Sequence, residues 1–546
     1  MPVDTLRRPS RAGSIQSNAM QSITNHVHYR VLQMANLGQP LIEINLDDTS
    51  PTTPRSSYVI SYATMDTIEG TVNITAQHDT RFEDIEIAFN GVAHISVERF
   101  TASPSMSGRT ESVHRFLSLR QPIDDSDLPT PRVLVAGKKY TFPFIFTVPQ
   151  HLLPRACTHK VVSDHVRACH LQLPPSIGDP ELAGFGGTLL DDMAPEMTKI
   201  VYGIKVRIMH LHEADGKISV LGEKMRKVRV KPIFEEQPPL NIEGIPEYRE
   251  RHEKTIKKSL FKGKSGTLTA QSMQPKPLII PGARTVNYAL PSTRAMVLLR
   301  FDPAEPTSLP PRLGQLKTHI KVSTFYAVQP RQGIPSRSQI SFDVSQGVFA
   351  ENISISNMCV ASAQWTKHSA SESPIVEDCT TTQRRDSGTS DSTIPSPGSP
   401  SSAPHTILTP SRNYQNGDFW TASIIVPISM PSNKNFIPTF HSCLVSRMYT
   451  LIMSLSVHAP GVSDPTLTMR VPLQVCAQGS VSGNENARAR SAEVGALEEA
   501  RRMFSPRSVI LPPPPPSAGA DAPPEYVPVA PRAGRHNARV TVVGGP

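Results

Sequence analysis

The pattern of apolar and polar positions along the chain predicts β-strands. Alternate residues are apolar in several stretches, which is typical of a strand that buries one face. These stretches comprise residues 72–76, 85–97, 140–148, 201–208, 424–428, 451–457 and 467–475. They fall into an earlier and a later cluster without long amphipathic helical patterns between them. The chain is therefore predicted to be all-β, with two β-sandwich domains.

Two local signals refine this pattern. The pair Asn90-Gly91 stands between alternating residues 85–89 and 93–97, and an Asn-Gly pair in this setting predicts a β-hairpin turn. Pro143 and Pro149 interrupt and end another alternating stretch. Because proline cannot donate to a β-ladder, this stretch is predicted to be an edge strand.

Composition shifts predict the domain boundaries. The chain has 53 prolines and only 6% aromatic residues, so part of it is expected to be disordered. The predicted segments are a flexible N-terminus at 1–39, a first domain at 40–235, a basic interdomain segment at 236–285, a second domain at 286–477 with a disordered Ser/Thr/Pro insert at 369–413, and a disordered proline-rich tail at 478–546.

Positive charge is concentrated between the two clusters. The chain carries a formal charge of +9, and residues 224–264 hold twelve Lys/Arg against six Asp/Glu. The densest part comprises Lys254, Lys257, Lys258, Lys262 and Lys264. Such a strip suits an anionic membrane surface or an acidic peptide, or it is simply a solvated linker. Nucleic acid is the weakest candidate, because no nucleic-acid-binding module accompanies the charge.

Short motifs predict phosphorylation. Arginine pairs stand just before Ser10 and Ser387, which suits basophilic kinases, and a proline follows Ser396 and Thr409, which suits proline-directed kinases. Each phosphate would add close to two negative charges to a flexible segment.

Cysteine and histidine residues raise the question of a zinc site, and the sequence argues against one. Cys157, His159, His165, Cys169 and His170 lie within fourteen residues, but their spacing matches no familiar closed zinc site, so no metal or other cofactor is expected. The six cysteines are few and widely spaced, which indicates a reducing compartment. We expect no transmembrane helix, and no catalytic constellation is evident, so an enzyme is not expected.

The most informative motif lies near the carboxyl end. Pro523-Pro524-Glu525-Tyr526 is a PPxY motif, the type of ligand that WW domains bind. The prolines at 512–516 precede it, so the segment is expected to be extended in a polyproline II conformation that binds with little ordering cost. Pro523, Pro524 and Tyr526 are the predicted WW-binding residues.

Several segments resemble the arrestin fold. Residues 139–149 are similar to a characteristic strand of the arrestin N-domain, and Leu173-Pro174-Pro175-Ser176 is similar to an element downstream of it. Residues 201–206, the sequence Phe89-Asn90-Gly91, and residues 447–457 with 469–475 resemble other strands of the family. The resemblance covers roughly 40–235 and 286–477. Together with the PPxY motif, it makes the chain look like an α-arrestin, an arrestin-related trafficking adaptor.

This resemblance implies a function. Such adaptors connect the WW domains of HECT-type ubiquitin ligases to plasma-membrane transporters or receptors, which are then ubiquitinated and internalised. It implies a cytoplasmic protein that is recruited to the plasma membrane and endosomes. It also makes the lysines at 254–264 candidate ubiquitin acceptors. Two alternatives remain: an arrestin-like signalling scaffold that links a membrane sensor to endosomal sorting machinery, and a retromer-like coat component.

Overall fold

The computed structural model describes residues 39–47, 61–99, 108–179, 190–212, 216–258, 263–283, 289–340, 343–369, 408–412, 414, 417–458 and 465–504. Most of these residues are in β-strands, which confirms the all-β prediction. Among the described residues, no helix is long and apolar enough to cross a membrane.

Ten strands and one helix make up the first half of the chain. The strands are β1 (Leu41–Leu46), β2 (Ser61–Tyr62), β3 (Thr67–Thr75), β4 (Thr80–Arg81), β5 (Asp84–Arg99), β6 (Gly108–Arg120), β7 (Val133–Leu134), β8 (Lys139–Thr147), β9 (Thr198–Leu211) and β10 (Ile218–Val230). Short 3-10 turns lie at Asp125–Asp127 and Pro154–Ala156, and helix α1 spans Asp164–Leu171. The Ser163 hydroxyl accepts a hydrogen bond from the Val166 amide and so caps the start of α1.

Eight of these strands form a sandwich that we call the first sandwich, and β4 pairs separately with β7. One sheet has the order β1-β3-β8, and the other has the order β2-β10-β9-β5-β6. Apolar side chains on the inner faces pack together: the rings of Phe146 on β8 and Phe89 on β5 are 6.0 Å apart, and Phe89 stacks on Tyr202 of β9. Because β8 lies at the end of its sheet, the edge position predicted from Pro143 and Pro149 is confirmed.

The predicted hairpin at Asn90-Gly91 is wrong. Strand β5 runs straight through both residues and pairs with β9 without interruption, while its register against β6 shifts between Gly91 and Val92. A Cβ atom at Gly91 would lie 2.5 Å from the Phe116 ring and 2.9 Å from the Tyr202 ring. Glycine is therefore required here by the close approach of two aromatic rings at a β-bulge, and not by a turn.

Twelve strands make up the second half. They are β11 (Arg251–Lys257), β12 (Lys264–Ser272), β13 (Leu278–Ile280), β14 (Ser292–Pro303), β15 (Leu313–Ala327), β16 (Gln346–Cys359), β17 (Thr366–His368), β18 (Phe419–Ser429), β19 (Phe440–His441), β20 (Val445–Val457), β21 (Thr466–Leu473) and β22 (Val475–Ala477). A short helix α2 spans Arg337–Ile340, and the last described helix, α3, spans Val481–Phe504.

Ten of these strands form the second sandwich, and β13 pairs separately with β22. One sheet has the order β11-β12-β14-β18-β17, and the other has the order β16-β15-β20-β19, with β21 also paired to β20. Alternate side chains of β14 and β20 point into the core, where Val297, Leu299, Leu451 and Met453 are buried. The segment 236–285, which the sequence predicts to be an interdomain segment, contains strands β11, β12 and β13. Strands β11 and β12 belong to this sandwich. In β11 the apolar inward position was hard to recognise beside the many charged residues.

The chain returns to the first sandwich after β22. Asp66, which is buried in the first sandwich, accepts hydrogen bonds from the hydroxyls of Ser480 and Ser482. The Asn486 amide donates to the Met65 carbonyl at 2.9 Å. These contacts fix the first turns of α3 against the loop before β3. The described residues up to Ala489 form one compact unit, and a second unit begins within α3 at Arg490.

Candidate functional site

Most of the short motifs predicted from the sequence lie outside the described residues. These are the WW ligand at Pro523, Pro524 and Tyr526, the phosphorylation candidates Ser10, Ser387 and Ser396, and Lys262. The other four lysines of the basic strip and Thr409 are described, so their surroundings can be compared with the predictions.

The basic strip belongs to a β-hairpin. Strands β11 and β12 are paired, and the Lys258 amide donates to the Gly263 carbonyl at 3.0 Å to close the hairpin. Lys258 Nζ is 2.5 Å from a carboxylate oxygen of Glu305, and Lys254 Nζ donates to the Thr466 carbonyl at 3.4 Å. Two of the four lysines therefore contact neighbouring segments of the second sandwich.

Lys257 and Lys264 place two positive charges side by side on this hairpin. They are cross-strand partners, and both side chains are exposed. Like charges directly opposite each other destabilise a β-pair, and a bound anion would relieve that repulsion. The end of the hairpin is thus suited to a carboxylate or phosphate group.

Thr409 contacts an arginine of the same hairpin. The Arg251 guanidinium donates to the Thr409 hydroxyl, and also to the backbone carbonyls of Thr409 at 2.9 Å and Pro410 at 3.1 Å. Leu408 is buried, so this end of the predicted insert packs against the second sandwich. The structure therefore gives a phosphate on Thr409 a cationic partner, although Glu253, 2.6 Å from Arg251, already shares that guanidinium.

Phosphorylation of Thr409 is expected to slow amide hydrogen exchange in residues 408–412 by about tenfold. A hydrogen bond to a charged group contributes about 1.5–3 kcal/mol, and the lower end applies at an exposed site. Hydrogen-exchange mass spectrometry of the phosphorylated and unmodified chains measures this change. The protection should disappear in Arg251→Gln, and equal protection with and without Arg251 would contradict the pairing.

Buried and charged groups join the two sandwiches at an interdomain junction. Arg447 on β20 is fully buried, and its guanidinium donates to the backbone carbonyls of Asp192 at 3.0 Å and Met193 at 3.2 Å. Its charge is therefore solvated by the backbone just before β9. These bonds couple the second sandwich to a loop of the first.

An ion-pair network flanks this arginine. Lys434 Nζ is 2.7 Å from Asp191 and 2.8 Å from Glu351, and hydrogen bonds to these carboxylates raise the pKa of Lys434. Burial opposes the ionisation of Asp191, but hydrogen bonds from Lys434 and from the Met193 amide outweigh it and lower the pKa of Asp191. Asp191 belongs to the first sandwich and its partner Lys434 to the second, so this network adds to the junction.

The junction also gathers part of the Cys/His segment. Cys157, His159 and His170 come together, whereas His165 and Cys169 pair with each other on α1 at 3.7 Å. A fourth group, Cys443, joins the first three from the turn between β19 and β20. Sequence spacing could not identify Cys443, because only the packing of the two sandwiches brings it near. Burial and the charges of His159 and Arg331 lower the pKa of His170 to about 4, so its ring is neutral at pH 7.

An open groove of about 430 Å³ crosses the outer face of the first sandwich. Side chains of both charges line it, including His94, Arg109, Glu111, Lys199 and Lys227. Burial and nearby lysines lower the pKa of His94. A groove of mixed charge is suited to an extended polar peptide rather than to a small apolar ligand.

Comparison of the chain with known protein families and with curated proteins finds no match in either set. The resemblance to arrestins therefore remains a prediction from the residues.

Proposed function

We propose that the protein is an arrestin-like adaptor that recruits a HECT-type ubiquitin ligase to plasma-membrane transporters or receptors and promotes their ubiquitination and endocytosis. The observation that carries the proposal is the combination of an all-β body of two joined sandwiches with a PPxY motif beyond its last described helix. The body offers surfaces for cargo, and Pro523, Pro524 and Tyr526 form the ligase ligand.

The adaptor itself contributes no catalytic group in this proposal. It acts by raising the local concentration of the ligase near its cargo. A single PPxY motif binding one WW domain gives an affinity in the micromolar range, near −8 kcal/mol. Contacts between the ligase and other parts of the complex would then be needed for long residence.

The charged surfaces of the body suit the other partners. The groove across the first sandwich can receive an extended cytoplasmic segment of a cargo protein. The hairpin end at Lys257 and Lys264 can contact anionic lipid headgroups, since each cation near such a surface contributes about 1 kcal/mol. The same two exposed lysines, with Lys254 and Lys258, are the candidate ubiquitin acceptors of the body.

Tyr526→Ala is expected to abolish binding of the full-length chain to WW domains. The tyrosine side chain fills a pocket in the WW groove, and its loss should weaken a micromolar complex at least tenfold, by about 1.4 kcal/mol. Capture on an array of WW domains, with the wild-type chain beside the variant, measures this loss. The melting temperature should be unchanged, because the substitution lies beyond the all-β body.

Pro515→Ala provides the matched control, because it alters the same proline-rich tail outside the motif. It should bind as the wild type does. If WW binding is absent in the wild type, or persists in Tyr526→Ala, the ligase-adaptor function is excluded. The alternative of a signalling scaffold connected to endosomal sorting machinery would then be favoured, since it does not depend on Tyr526.

A further inference from the structure

Four side chains that can bind metal converge where the two sandwiches meet, and we call them the Cys/His cluster. Two come from the loop after the 3-10 turn Pro154–Ala156, one from the last turn of α1, and one from the turn between β19 and β20. The members are Cys157, His159, His170 and Cys443. Three therefore belong to the first sandwich and one to the second.

The distances fit a tetrahedral zinc site. The four ligand atoms all lie within 4.8 Å of one another. Cys157 Sγ is 3.8 Å from His159 Nδ1 and 3.7 Å from His170 Nδ1. With zinc bonds of about 2.3 Å to sulfur and 2.0–2.1 Å to nitrogen, tetrahedral angles place the two ligand atoms about 3.6 Å apart. Ligand atoms at the upper limit of 4.8 Å would have to move about 1 Å closer together to bind one ion.

The orientation of His159 provides a second, independent argument. Its Nε2 lies 2.9 Å from the backbone carbonyl of Arg331, which can only accept a hydrogen bond. Nε2 therefore carries the proton, and Nδ1 keeps the lone pair that can bind a metal. A histidine that ligates zinc usually donates its other ring N–H to a carbonyl or carboxylate in this way.

The donor set and its burial suit a bound metal ion. Cys157 Sγ faces ring nitrogens of two histidines, and thiolate and imidazole groups are the ligands that zinc prefers in proteins. A metal ion satisfies both nitrogens and both sulfurs at once. Cys157 and His170 are each 2% exposed and Cys443 is 4% exposed, whereas His159 is half-buried, so most of the site would be shielded from solvent. Two thiolates and two neutral imidazoles around Zn²⁺ carry no net charge, which suits this burial.

We propose that the Cys/His cluster binds one Zn²⁺ ion as a structural site that links the two sandwiches. The ion would tie the β19–β20 turn to the loop and helix of the first sandwich, beside the contacts that Arg447 and Lys434 already make. Zinc binding would thus hold the two sandwiches in one relative orientation. The proposal is independent of the adaptor function, because it involves no residue of the PPxY motif.

The metal content of the purified full-length chain tests the proposal. The chain is expressed in zinc-supplemented medium and purified under reducing conditions. Inductively coupled plasma mass spectrometry should then find about one zinc ion per chain. Cys443→Ser should reduce zinc affinity by more than the 10–100-fold typical of losing an outer-shell partner. Cys169→Ser is the matched control: it changes a buried cysteine on α1 that lies outside the cluster, and it should retain the zinc.

A second measurement keeps the test informative if Cys443→Ser folds poorly. Adding a zinc chelator to the wild-type chain should lower its melting temperature, and re-added zinc should restore it. Replacement by Co²⁺ should give the visible absorption of a tetrahedral site with thiolate ligands. Three outcomes would overturn the proposal. The folded, reduced chain could lack zinc, both cysteine variants could lose zinc equally, or a Cys157–Cys443 disulfide could form in place of the zinc site.

Discussion

Arg300→Met is expected to lower the free energy of unfolding by about 3–5 kcal/mol, because it leaves a buried carboxylate without its partner. Arg300 Nε donates to Asp302 at 2.7 Å, and the two side chains are only 2% and 3% exposed. The Arg300 guanidinium also donates to the Leu408 carbonyl and lies 3.9 Å from the centre of the Phe419 ring. Urea unfolding followed by circular dichroism measures the loss.

A second ion pair provides a matched control for the effect of burial. Arg109 and Glu111 have the same i, i+2 spacing on strand β6, and they are 2.8 Å apart, but their side chains are 57% and 61% exposed. Arg109→Met should change the free energy of unfolding by no more than about 1 kcal/mol, because exposed pairs contribute little. Similar losses in both variants would show that burial does not control the effect.

The double variant Arg300→Met/Asp302→Leu separates the cost of the unpaired charge from the cost of lost packing. Removing both charges should recover much of the loss, as it often does for buried ion pairs. Recovery should be incomplete, because Asp302 also accepts a 2.7 Å hydrogen bond from the Ser411 amide. A double variant as unstable as Arg300→Met would indicate that packing against Phe419, and not charge pairing, dominates.

The periodic part of the fold was predictable from the sequence. Alternating apolar and polar residues identify strands such as β8 and β20, because a strand with one buried face has a buried side chain at every second position. Strand β11 was missed for a related reason. Its burial pattern is mostly exposed or intermediate, and only Ile256 is buried, so its charges obscured the period.

The junction was not predictable, because its members are far apart in sequence and show no local pattern. Arg447 would be expected to be exposed from its type, yet it is buried because two backbone carbonyls of the other sandwich solvate its charge. Cys443 joins the Cys/His cluster only through the packing of the sandwiches. The Arg300–Asp302 pair on β14 is likewise covered by residues distant in sequence, since Arg300 donates to the Leu408 carbonyl and lies over the Phe419 ring.

Gly91→Ala is expected to destabilise the first sandwich by about 3 kcal/mol, the upper end of the usual cost of overpacking. The added Cβ would meet the Phe116 ring at 2.5 Å and the Tyr202 ring at 2.9 Å, and both rings are buried. Chemical unfolding of the full-length chain measures this change. Gly108→Ala is the control, because a Cβ at Gly108 has no neighbour within 4 Å, and it should stay within about 0.5 kcal/mol of the wild type.

A second-site substitution distinguishes a crowded bulge from a turn. Phe116→Leu shortens the side chain that the new Cβ would strike, so the double variant Gly91→Ala/Phe116→Leu should be more stable than the sum of the two single effects by at least about 0.5 kcal/mol. If Asn90-Gly91 were an exposed hairpin turn, Phe116 would not be near Gly91 and the two effects would add. Strict additivity would therefore refute the continuous strand β5 and restore the hairpin that the sequence predicts.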